Sequence, residues 1–259
     1  MTAALSTVFY PSPWLAGLNA NPSAPRNLIM FPYAGAGASS YYSWVEPLSE
    51  IGNVFIVQLP GRENRLEQPL LRSLRAASAG VVQALTCLED RPLVFFGHSL
   101  GALLAYEVCR AMIRTGARAP QMMFVSGRSP PHAPPRRAPI FALPRAELFA
   151  SLAELGGLSP EVLNAPALLD YFEPILRADL EMNDTFAADP VTPLDVPLVV
   201  LGGIDDPHFP PADMEWWRQA AGPCSIHLFE GGHFFLNRHR DAIVRLIRDS
   251  VETTRHRAG

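Results

Sequence analysis

The sequence contains no lysine, and all 21 of its basic residues are arginines. Against 25 acidic residues they leave a net charge of −4, which gives no general attraction to nucleic acid or to anionic membranes. Cysteine is sparse. Cys87, Cys109 and Cys224 are an odd number in segments that read as helix or strand, so they are expected as small packed residues in a reducing compartment, not as a disulfide framework. No apolar run approaches the roughly 20 residues of a membrane-spanning helix. The first residues lack the basic, apolar and small-residue succession of a secretory signal, and the cytoplasm is the expected location. Neither His-Glu-x-x-His nor a paired Cys-x-x-Cys is present, so a catalytic metal is not expected. Gly35-Ala36-Gly37 is not followed by Gly-Lys-Ser/Thr, and it is therefore not a phosphate-cradling loop.

What is present is an alternation. Leu28–Phe31, Val54–Leu59, Leu93–Phe96, Met122–Val125, Leu198–Leu201 and Ile226–Phe229 are short apolar runs that read as buried strands. Between them lie longer helix-like stretches, including Leu70–Leu88, Ala102 to about Arg114 (stopped by Gly116) and a closing amphipathic segment, Asp241–Thr253. Strands alternating with helices indicate an α/β fold with a mostly parallel central sheet flanked by helices. A chain of 259 residues can form this as one large domain.

The alternation breaks once. Pro130, Pro131, Pro134, Pro135 and Pro139 crowd the chain around Arg136-Arg137. Several helical stretches then follow with no strand between them. We read residues 136–190 as a helical lid inserted over the C-terminal edge of the sheet, where binding loops gather. The core is then expected over 1–135 and 191–259. Apolar lid residues such as Leu148, Phe149, Leu152, Leu155, Leu158 and Phe172 can line a pocket or pack a core of their own.

Gly97-His98-Ser99-Leu100-Gly101 follows one of the strands and precedes a helix. In that context the Gly-x-Ser-x-Gly pattern is a nucleophile elbow, with Ser99 on a sharp strand-to-helix turn. A serine hydroxyl needs a base. Of the seven histidines, His233 lies in Gly231-Gly232-His233 just after the last expected strand. His98 is expected to point away from Ser99, and His208 can still reach the cleft. His132, His227, His239 and His256 read as packed or surface residues. Asp205, emerging from Leu198–Leu201 through Gly202-Gly203-Ile204, is the expected acid, with Asp206 its immediate rival. The order Ser, Asp, His is that of this fold. For the oxyanion, one backbone N–H is that of Leu100; the second is expected from Ala34, or alternatively Tyr33, in the loop after Phe31.

Phe31–Gly37, Gln58-Leu59-Pro60-Gly61-Arg62-Glu63-Asn64-Arg65, the elbow, Leu176-Arg177-Ala178-Asp179, Gly202–Asp206 and Gly231–Phe235 together resemble type II thioesterases of the α/β-hydrolase superfamily. The resemblance implies a cofactor-free serine enzyme with Ser99, Asp205 and His233 as its triad and Ala34 and Leu100 supplying the oxyanion amides. It implies hydrolysis of acyl groups from the phosphopantetheine arm of acyl carrier or peptidyl carrier protein domains in polyketide or non-ribosomal peptide synthases, clearing misprimed or stalled units. An oxygen-ester hydrolase or lipase, an acyltransferase, and a catalytically idle binding protein are the rival readings. Arg62 and Arg65 are expected to pair with Glu63 and Glu67, or else to read a phosphate. Arg128, Arg136 and Arg137 precede the lid and could meet an acidic carrier. A monomer is expected.

Overall fold

A computed structural model of the chain describes residues 7–18, 20–158, 160–187 and 193–257. Among these residues eight strands form one sheet: β1 (Phe9–Ser12), β2 (Leu15–Gly17), β3 (Asn27–Phe31), β4 (Asn53–Val57), β5 (Leu93–His98), β6 (Met122–Ser126), β7 (Leu198–Gly203) and β8 (Cys224–Phe229). Their spatial order is β1-β2-β4-β3-β5-β6-β7-β8. The six strands from β4 to β8 in that order run parallel, and β1 and β2 add an antiparallel edge. All six apolar runs read from the sequence are strands of this sheet. The edge pair was not foreseen, because a strand of three or four residues carries too few alternations to register as a pattern.

The sheet separates two apolar layers, and the strands feed them by turns. Ile29, Phe31, Phe95 and Val200 face one layer with Leu103, Tyr106 and Trp217. Leu28, Met30, Phe96 and Leu201 face the other with Trp44, Ile243 and Ile247. Successive strand side chains point to opposite faces, so an unbroken apolar run signals a strand covered on both sides. The covering helices are α1 (Tyr42–Leu48), α2 (Leu74–Leu85), α3 (Leu100–Arg114) and, at the C-terminal end, α9 (Arg240–Arg257). Helix α2 is shorter than the expected Leu70–Leu88, and Ser73 caps its start by accepting from the Ala76 N–H. Of the cysteines, Cys109 is buried in α3, where burial pushes its thiol up to about 12. Cys87 is exposed, contrary to expectation.

Between β6 and β7 come α4 (Arg145–Glu154), α5 (Pro160–Leu163) and α6 (Pro166–Asp184). The expected junction at 190–191 falls outside the described residues. Leu148, Phe149, Leu152, Leu176 and Leu180 form a small apolar cluster of their own, separate from the two main layers. Two single-turn helices, α7 (Pro211–Met214) and α8 (Phe235–Arg238), follow β7 and β8. Among the described residues no helix is long and apolar enough to cross a membrane.

Candidate active site

Ser99 sits between β5 and α3 with φ 56° and ψ −118°. That strained backbone is expensive for a residue with a side chain, and it persists only where neighbours enforce it. Two glycines make the turn possible. A Cβ at Gly97 would lie 2.3 Å from the Gly101 carbonyl oxygen, and one at Gly101 would lie 2.0 Å from that of Phe31. The Ser99 N–H donates to the Ser126 carbonyl at 2.8 Å, fixing the turn against β6. The hydroxyl is thereby presented at the N-terminus of α3, whose first N–H groups have no intrahelical acceptor.

Ser99 shares a cavity with His233, which is only 3% exposed. Its Nδ1 lies 2.7 Å from Asp206 Oδ2. Here the sequence expectation is corrected: the carboxylate on the imidazole is that of Asp206, not Asp205. After Gly203 the chain turns over Ile204 and Asp205, both exposed, and Asp206 folds back beneath the turn, its N–H directed at the Gly203 carbonyl at 3.4 Å. The Gly-Gly-x-Asp spacing therefore brings the first aspartate to the tip and the second into the site. Asp205 contributes only backbone. Its N–H donates to the Gly231 carbonyl at 3.0 Å, tying the acid turn to the histidine turn.

Burial alone would raise the Asp206 carboxyl. The hydrogen bond and attraction to His233, with the backbone N–H groups of Phe209 and His208, outweigh it and hold the group below its usual value. The two backbone donors reach Asp206 Oδ1 at 3.1 and 3.0 Å. One oxygen is thus spent on holding the turn and the other on the imidazole.

His98 is completely buried. Its Nδ1 meets Ser126 Oγ at 2.9 Å, and its ring lies 4.9 Å from that of His233, centre to centre. It points away from Ser99 as expected, into the wall behind the base. Burial, and then the neighbouring His233, push its pKa well down. His208, which the sequence left open, lines the same cavity.

Ser99, Leu100, His233 and Ala34 line one cavity of about 50 Å³, closed on the far side by Leu152, Leu155, Leu158 and Leu176. In the loop after β3, the Ala36 N–H is used on the Tyr33 carbonyl at 3.0 Å and the Gly35 N–H on Asp179 Oδ2 at 2.8 Å. Ala34 and Tyr33, the two donors expected from this loop, both line the cavity with Leu100.

The arginines take partners that sequence adjacency did not reveal. Arg62 forms a two-pronged pair with Asp179, at 2.6 and 2.7 Å, and does not pair with Glu63 or Glu67. Arg65 holds Gln68 and the Gln58 carbonyl and lies 4.5 Å over the Trp14 ring. Arg136 is paired with Asp213 and Arg137 with Asp184. Arg128 lines the cavity, donates to Asn183 Oδ1 at 2.6 Å and stands 5.3 Å over the Phe209 ring. Burial, then Arg137, lower its guanidinium to about 10 against the pull of Asp184. No group of three or more His, Cys, Asp or Glu among the described residues could hold a metal ion.

Comparison with known proteins places the whole fold. The family model described as a thioesterase domain matches residues 26–251. The RedJ thioesterase from the prodiginine pathway of Streptomyces coelicolor is 36% identical, with a TM-score of 0.81 over 88% of this chain and 92% of that one. BorB, a type II thioesterase from the borrelidin biosynthetic cluster, is 30% identical, with a TM-score of 0.80 over 92% and 96%. LgrE of Brevibacillus parabrevis, which is named a linear gramicidin dehydrogenase, is 33% identical over 94% of each chain.

Proposed function

Because the chain belongs to the thioesterase family, we propose that it hydrolyses acyl thioesters carried on the phosphopantetheine arm of carrier proteins, by way of Ser99, His233 and Asp206. The observation that carries the reading is the buried Asp206–His233 pair, its imidazole sharing a cavity with a serine on a strained strand-to-helix turn. A role beside polyketide or non-ribosomal peptide synthases, clearing stalled acyl units, follows from the kinship with RedJ and BorB.

In the mechanism, His233 Nε2 takes the Ser99 proton as Oγ attacks the thioester carbonyl. Asp206 holds Nδ1–H in place, which fixes the tautomer and stabilises the imidazolium. The oxyanion rests on the N–H groups of Ala34 and Leu100. The C–S bond then breaks and the sulfur takes the proton from His233, leaving as the thiol and returning the imidazole to its neutral form. Water, deprotonated by the same imidazole, attacks the acyl-enzyme and releases the carboxylic acid and Ser99. The helices between β6 and β7 act as the lid of the cavity, with Leu152, Leu155 and Leu158 against the acyl chain. Hydride transfer, which the name of LgrE would imply, finds no Gly-x-Gly-x-x-Gly turn anywhere in the sequence.

The test is release of short acyl groups from a loaded carrier protein by the wild type and by Ser99→Ala. We expect loss by a factor of about 10³ or more on substitution. Hydrolysis indifferent to Ser99 would overturn the mechanism. Normal cleavage of a small oxygen ester with none of the carrier thioester would discard the carrier.

A further inference from the structure

The oxyanion loop is held in shape by the helical segment above it, and the contact is a charged one. Asp179 is in α6, is fully buried, and accepts the Gly35 N–H at 2.8 Å. The same carboxylate receives both arms of Arg62, at 2.6 and 2.7 Å, and Arg62 Nη1 also donates to the Ala36 carbonyl at 3.2 Å. One buried pair therefore grips the loop on both sides of Gly35, by an N–H and by a carbonyl. Neighbouring bonds extend the grip. The Ala38 N–H donates to Gln58 Oε1 at 2.6 Å, and Gln58 Nε2 donates to the Arg62 carbonyl at 3.0 Å. Leu176, one helical turn before Asp179, fills the space beside Gly35.

Helix α6 is in turn fastened to the entry of its own segment. Arg177 Nη1 donates to the carbonyls of Phe141 and Leu143 at 2.7 and 2.9 Å. The Leu-Arg-Ala-Asp run of residues 176–179 thus has a task for three of its side chains, and Ala178 is buried without remainder.

We propose that Asp179, held by Arg62, is a positioning residue for the oxyanion hole: by taking the Gly35 N–H it fixes the Ala34–Gly35 peptide, directly beside the Tyr33–Ala34 peptide that carries the Ala34 N–H. Asp179 touches neither substrate nor Ser99 and acts only through the loop. It follows that α6 is a fixed part of the catalytic frame. The inference rests on the serine-hydrolase reading above.

Its test is steady-state hydrolysis of a short acyl thioester by the wild type, Asp179→Asn and Arg62→Lys. Alongside it, binding is measured for two analogues of that thioester: a trifluoromethyl ketone, which forms an oxyanion on Ser99, and an unreactive thioether. For Asp179→Asn we expect kcat to fall roughly ten- to hundredfold, since a small misplacement of a catalytic donor costs that much. KM and thioether affinity should hold within about twofold, and ketone affinity should fall with kcat. Arg62→Lys keeps the carboxylate but loosens its hold, and should show the same split to a smaller degree; it carries the test alone if Asp179→Asn does not fold. Variants that lose thermal stability while keeping wild-type kcat and ketone affinity would make the pair merely structural and overturn the proposal. A wild type that hydrolyses no thioester or ester would overturn the reading beneath it, and this inference with it.

Discussion

The acid–base side of the cleft holds itself together, whereas the oxyanion side is assembled from three remote stretches of chain. Asp206 and His233 stand 27 residues apart on the turns after two paired strands, and those turns are tied backbone to backbone. Gly35 reaches its acceptor across 144 residues, and Arg62 reaches the same carboxylate across 117. The first side needs only that β7 and β8 pair. The second needs the core and the helical segment to have docked, so on our proposal electrophile stabilisation depends on a part of the molecule that is not in the sheet.

The largest effect should separate the two adjacent aspartates. Asp206→Asn is expected to lower kcat by about 10³ to 10⁴ with the fold intact, because the imidazole loses the acceptor that fixes its tautomer. Asp205→Asn should stay within about threefold of wild type, as its carboxylate is at an exposed turn tip. Equal losses in the two variants, measured as kcat/KM on one acyl thioester, would break the assignment.

A smaller effect should appear in stability. Arg62→Ala leaves the Asp179 carboxylate buried and unpaired, which is expected to cost about 3–5 kcal/mol in urea unfolding. Asp205→Ala, an exposed substitution, should fall within about 0.5 kcal/mol of wild type. A near-neutral Arg62→Ala would show that the oxyanion side is not held by this pair.

The smallest effect concerns pH. His98 has its folded pKa pushed down by burial and by His233, so the unfolded chain binds a proton there that the folded chain refuses. Stability from this residue is therefore present above its unfolded value of about 6.5 and is lost as pH falls below it, by at most about 1.4 kcal/mol per pH unit. Unfolding of His98→Gln followed between pH 7 and 5 should show a shallower acid slope than wild type. Parallel slopes would mean that folded His98 takes up a proton as readily as the unfolded residue, and would remove the shift.

Local patterns carried the fold and most of the site. Each inner parallel strand is a mostly apolar run bounded by glycine or proline, and burial on both faces forces that composition. Ser99 and His233 were readable because the elbow and the Gly-Gly-His turn need glycines at fixed places for close backbone approach. The Asp205–Asp206 choice was not readable, since one residue more or less in a turn decides which side chain faces in. The short edge strands β1 and β2 left too little pattern to detect.

By itself the sequence determined the layered sheet, because its apolar runs and the glycines and prolines that bound them are close in the chain, and it carried the resemblance that named the family. Only the tertiary structure decided which carboxylate meets His233, and that Arg62 serves Asp179 and not its neighbour Glu63. Those are pairings across turns and between distant elements. Their energy comes from burying charge against a specific partner, and nothing in the spacing of either residue names it.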